Sequence, residues 1–179
     1  MSTKLWKAKS DLATNLRLRM PEMVRSWFTE GDHAVQPDRP YEEIHHFRLL
    51  TKRFRYTLEI FRQAYGPSLE RMIEQLRELQ TLLGDLNDCV ATSRLLADVP
   101  GSDAARVRLD RKAVRKAAEL RALWAKEFAG SQRRGRWERY LVRYACRPAA
   151  ARTSGKAAIS APEQPTEAEV PETPLYTDS

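Results

Sequence analysis

Four cations fall on one line of the stretch 45–61, HHFRLLTKRFRYTLEIF: His45, Arg48, Lys52 and Arg55. On a helix their spacing of i, i+3, i+7 and i+10 makes a straight row roughly 15 Å long at the 1.5 Å rise per residue. No acid enters the stretch until Glu59. Like charges three and four residues apart destabilise an isolated helix by about 0.2–0.5 kcal/mol per pair, so such a row calls for a compensating role. Lys binds phosphate oxygens as a point charge and Arg as a planar fork. A phosphate beside His45 favours the imidazolium and recruits it as a further cation. Phe47, Leu50, Phe54, Leu58 and Phe61 form the core face of the same helix, and Arg53 lies on the other flank of that face. The plainer reading is a solvated basic face, or Arg and Lys stems covering the core edge.

A second basic row follows. Between residues 106 and 126 stand eight Lys/Arg and two acids. Leu109, Ala113, Ala117, Leu120, Trp124 and Phe128 make the core face there, with Arg108, Lys112, Arg115 and Lys126 opposite. The whole chain carries 31 Lys+Arg against 24 Asp+Glu, a net charge of +7, which favours a polyanionic partner without naming one.

Other chemistries find less support. His45 and His46 point about 100° apart on a helix, so neither metal nor cofactor is expected. Asp85 and Asp88 share a helix face; they would suit a divalent cation, or more plainly pair with nearby Arg or Lys. Neither a phosphate loop, a Ser/His/Asp arrangement nor a nucleophilic cysteine context occurs, so the expectation is a protein that binds rather than catalyses. Cys89 and Cys146 lack metal spacing and read as free thiols in a reducing compartment. Apolar runs fall short of the roughly 18 residues of a membrane span, and the first twenty residues lack the apolar segment of a signal peptide. The expected location is cytoplasmic.

The elements that must position these residues read as helices. The first spans 3–29 with Pro21 as a kink or break, and a loop covers 30–39. The second opens after Pro40 with Glu42 and Glu43 in its first turn, which suits a helix N-terminus, and runs to about Tyr65. The third covers 68–97 with a heptad seam of Leu69, Leu76, Leu83 and Val90 beside Met72, Leu79 and Leu86. Gly84 is expected to let another helix approach closely. The fourth runs from an N-cap at Ser102 to about Ala129, and a short helix around 137–144 closes the bundle. Trp6, Trp27, Trp124 and Trp137 read as core. The fold class is all-α: an antiparallel four-helix bundle over residues 1–146 with a short additional C-terminal helix. Residues 147–179 hold five of the ten prolines and read as a disordered tail. Without them the chain has 28 Lys+Arg and 19 Asp+Glu, a net charge of +9.

Two stretches carry a family resemblance. His45-x-x-Arg48, then Lys52-Arg53-x-Arg55-Tyr56-x-Leu58-Glu59-x-Phe61, resembles the first motif of the CHAD family, the conserved histidine α-helical domain. Leu76-x-x-Leu79-Gln80-x-x-Leu83-Gly84-x-Leu86-Asn87-Asp88 resembles the second, on the next helix. The resemblance is best over 44–96. It implies a helical module that binds inorganic polyphosphate through basic rows, with His45, Arg48, Lys52, Arg55 and then Arg53 as the first candidates. Arg108, Lys112 and Arg115 join them from the fourth helix on the strength of their own row. Family modules contain two such halves and this chain carries one unit, which makes a homodimer a partner to test. Polyphosphate granules are then a natural location. A nucleic-acid-binding bundle and an accessory domain of a phosphate-processing enzyme are the alternatives.

Overall fold

The computed structural model describes residues 7–37 and 39–145. These residues form six helices and no strand: α1 Leu12–Ala34, α2 Tyr41–Ile60, α3 Arg62–Tyr65, α4 Leu69–Leu95, α5 Asp103–Glu127 and α6 Ser131–Arg143. The class is all-α, as its periodicities require. Packing runs from α6 to α1, α1 to α2, α2 to α4 and α4 to α5. Specific ties fix the directions. Trp27 meets Thr51 and His33 meets Glu43 between α1 and α2; Tyr41 meets Asn87 and Arg55 meets Gln80 between α2 and α4. Ser93 meets Asp110 and Gln75 meets Glu127 between α4 and α5. In each pair the early residues of one helix lie beside the late residues of the next, so packed neighbours are antiparallel.

The heptad seam of α4 does what its spacing demands: Leu69, Met72, Leu76, Leu79, Leu83 and Leu86 are buried. Below it an aromatic cluster gathers around Trp27. Its ring lies 4.9–5.8 Å, centroid to centroid, from Phe28, Phe47, Phe54, Trp124, Phe128 and Trp137. The buried indole N–H donates to Thr51 Oγ1 at 3.0 Å, so the polar end of the ring is satisfied inside the core. Three of the four tryptophans are thus core; Trp6 lies outside the described residues.

Several boundaries differ from the sequence reading for identifiable reasons. α1 starts at Leu12 because Asp11 caps it, accepting from Thr14 N at 2.7 Å, while Asn15 ties the preceding turn through Lys7 and Ser10. It stays helical through Pro21, which is buried between Met20 and Val24 on the core side. It also runs past Gly31 to Ala34, because the Trp124 ring lies directly on that glycine: a Cβ there would meet the indole at 2.0 Å. Gly84 is the converse. A Cβ on it would meet nothing within 4 Å, so the close-approach role expected of it belongs to Gly31. Ser102 is the N-cap residue of α5, as expected, but its side chain makes no capping bond; its hydroxyl instead donates to Leu96 O at 2.7 Å and closes the α4–α5 turn. α6 begins at Ser131, well before the expected start, and buries Trp137 and Leu141. The expected tail, 147–179, and Cys146 lie outside the described residues; Cys89 is a buried free thiol.

Candidate functional site

The α2 row borders the seam where α2 packs on α4, and α4 holds both of its ends. At one end His45 Nδ1 lies 2.9 Å from Asn87 Oδ1, which also accepts from the Tyr41 hydroxyl. Asn87 Nδ2 donates to Asp88 Oδ1 at 3.2 Å, so its oxygen is the atom facing the histidine. His45 therefore donates from Nδ1 and keeps Nε2 for an outside partner. At the other end Arg55 Nε donates to Gln80 Oε1 at 2.7 Å, and its guanidinium pairs with Glu59 and lies 4.4 Å from the Tyr56 ring centroid. Glu59 in turn pairs with Arg77 at 3.2 Å, and Arg77 reaches Glu74 at 3.0 Å. Arg55 is thus committed to the α2–α4 interface.

The middle of the row is different. Among the described residues neither Arg48 nor Lys52 has a carboxylate within ion-pair distance; Lys52 Nζ sits 5.8 Å from the Tyr56 ring centroid. The register between His45–Asn87 and Arg55–Gln80 puts Gly84 level with these two side chains, and the space around Gly84 is open. Two cations without a described carboxylate partner therefore stand at about the level of an open stretch of α4. Nearby, Arg94 lies 4.7 Å from the Tyr41 ring centroid and pairs with Glu42 at 2.8 Å. That bond holds the exposed Glu42 carboxyl below its ordinary value, while burial raises the Tyr41 phenol.

The remaining candidates are not gathered here. Arg53 is exposed on the α1-side flank of α2, and its carbonyl accepts from Thr57. Arg108, Lys112 and Arg115 lie on α5, which packs on α4 from the side away from α2. The two rows therefore do not line one groove, because α4 stands between them. Its Asp85 pairs with Lys116 at 3.1 Å, and Arg115 reaches Glu119 at 3.7 Å. The hydrogen bonds that Lys116 donates to Glu119 and Asp85 hold its ammonium above its ordinary value. Asp85 thus has the plainer of its two expected roles; Asp88 accepts from Asn87 instead. Among the described residues no group of three or more His, Cys, Asp or Glu is arranged to hold a metal ion, and no helix is long and apolar enough to cross a membrane.

Sequence reasoning expected the closing helix, α6, but missed its first two turns and the basic row on it. Arg133, Arg136 and Arg143 stand with Tyr140 at the same 3-4-3 spacing as the α2 row. The signal was present but was absorbed into a helix read as closing the bundle.

A family model described as the CHAD domain matches residues 2–97, more than half of the chain. No curated protein and no solved structure matches it.

Proposed function

The chain belongs to the CHAD-domain family, and from that premise we propose that it binds inorganic polyphosphate, without turning it over, along the α2–α4 seam. The family is linked to polyphosphate. The observation that carries the reading is the pair Arg48 and Lys52, unneutralised by any described carboxylate, on the stretch of α2 between the His45–Asn87 and Arg55–Gln80 ties to α4. Polyphosphate is flexible and charged at every unit, so a straight cationic row meets it without any need to read a base. His45, oriented by Asn87, adds a donor through Nε2 once protonated. Arg55 shapes one end of the seam, and the α5 residues Arg108, Lys112 and Arg115 supply a separate field that a long chain reaches only by crossing α4.

The test is a titration with long-chain polyphosphate across a series of salt concentrations, with incubation in Mg²⁺ or Mn²⁺ as a second arm. The reading expects a steep loss of affinity with salt, as counterions are no longer released to advantage, and no phosphate release. Phosphate release would point to the phosphate-processing alternative. Equal affinity for DNA at matched charge would point to the nucleic-acid alternative. A homodimer also belongs to the proposal. Leu95 and Val107 stand exposed near the α4–α5 turn and Val114 exposed midway along α5, Leu95 at 80 % and Val114 at 69 %, where a second copy would cover them. Sedimentation of the parent against Val114→Lys would then show a dimer that the substitution dissociates.

A further inference from the structure

A concave pocket opens where the start of α4 meets the α5–α6 turn. Arg71, Arg133 and Arg136 line it together with Gln75 and Glu127, and Trp137 and Met72 lie at its base. Trp137 is only 4 % exposed, so the base is a fixed part of the core. The single acid is already engaged. Glu127 accepts from Gln75 Nε2 at 2.9 Å and pairs with Lys126 at 3.2 Å, whereas Arg133 is 3.9 Å from it. Those partners, Lys126 first, keep the Glu127 carboxyl below its ordinary value and so ionised and spoken for. Among the described residues Arg71 and Arg136 have no carboxylate partner.

Three guanidiniums from two helices therefore converge on one concavity with one neutralised acid between them. Arginine forks suit planar, multidentate capture of phosphoryl oxygens better than lysine does. The enclosing walls raise the strength of each contact over that on an open face. The pocket is short and closed at its base by Trp137, so it accommodates a group rather than a length of chain. It also lies apart from the α2 row: α4 begins beside the end of α2, where Arg62 pairs with Glu70, and Arg71 turns toward α5 and α6.

We propose that the Arg71–Arg133–Arg136 pocket is a second anion site, which captures a terminal phosphoryl group. That chemistry belongs both to the end of an inorganic polyphosphate and to an organic phosphomonoester. The site stands whether or not the α2 row binds polyphosphate.

Calorimetric titration of the full chain with inorganic tripolyphosphate, and separately with glycerol 3-phosphate, tests it. The proteins are the parent, Arg71→Ala/Arg136→Ala and the control Arg111→Ala/Arg121→Ala, each checked for helicity. The expected result is binding of at least one probe by the parent, weakened by about tenfold or more in the Arg71/Arg136 variant. Affinity in the Arg111/Arg121 variant, which removes the same charge from exposed positions outside the pocket, should stay within about twofold of the parent. Tighter binding of tripolyphosphate would assign the pocket to chain ends, and tighter binding of glycerol 3-phosphate to monoesters. An Arg71→Lys/Arg136→Lys variant, which keeps charge and loses the fork, should recover only part of the affinity. Failure of both probes to bind, or binding that the Arg71/Arg136 substitutions leave intact, would overturn the proposal.

Discussion

Arg48 and Lys52 differ from their row neighbours in what surrounds them, and that difference sets the expected effect of each substitution. Removing either takes an unspent cation from the seam. Arg48→Ala and Lys52→Ala should each weaken polyphosphate binding by about tenfold, with little change in melting temperature. Arg55→Ala removes a guanidinium bonded to Gln80 and Glu59, so its main effect should be on stability, about 1–2 kcal/mol in denaturant unfolding, and only secondarily on binding. An Arg55 variant that loses affinity as steeply as the Lys52 variant while keeping full stability would reverse this assignment. The spacing of the row was legible because a helix maps sequence interval directly onto direction. Which cations are spent was not, because Gln80 and Asn87 lie on another helix, 25 and 42 residues further on. Arg53, which stands between Lys52 and Arg55 in sequence, was legible too: the helical turn carries it to the opposite flank, as the spacing required.

At the scale of elements, two glycines make opposite predictions. Gly31 sits in the last turn of α1 under an indole that Asp32 holds by accepting from Trp124 Nε1 at 2.9 Å. The ring is thus pinned, and Gly31→Ala should destabilise the fold by about 1–3 kcal/mol or more through overpacking. Gly84 is helical with open space around it, so Gly84→Ala should stabilise α4 by roughly 0.5–1 kcal/mol, the usual helix preference for Ala. The same methyl group would narrow the open stretch of α4 level with Arg48 and Lys52 and weaken polyphosphate binding. Paired denaturation and binding measurements check both. If Gly84→Ala left affinity unchanged while raising stability, the open stretch would have no part in binding. The four long helices and the α4 seam were readable because heptads and breaks such as Gly66-Pro67 are local, whereas the break that sets off α3 at Phe61 was not. The end of α1 was not, since Gly31 reads as a stop until Trp124, far along the chain, is packed on it.

For the molecule as a whole, electrostatics ties stability to pH. The carboxyls of Asp11, Glu42 and Glu127 all lie below their ordinary values of 3.8, 4.5 and 4.5, because of bonds from Thr14, Arg94 and Lys126 respectively. A carboxylate depressed in the folded state contributes stability above its unfolded value, and that contribution is lost as pH falls through the folded value. Thermal melts should therefore be flat near neutrality and drop below about pH 4.5. A melting temperature that rose on acidification would contradict the ion-pair assignment. The surplus of positive charge was plain from composition. Its division into an α2 row, an α5 row beyond α4 and an arginine pocket beside α6 depended on which helices pack together, and composition carries no such information.

The central claim is that the α2–α4 seam, rather than diffuse positive charge, binds polyphosphate. The most direct measurement is the affinity of the parent and of Arg48→Ala/Lys52→Ala for long-chain polyphosphate at near-physiological salt, with DNA present at equal charge concentration. The account predicts tight binding by the parent that DNA does not displace, and its collapse in the variant. Binding that DNA abolishes, or a variant equal to the parent, would contradict it.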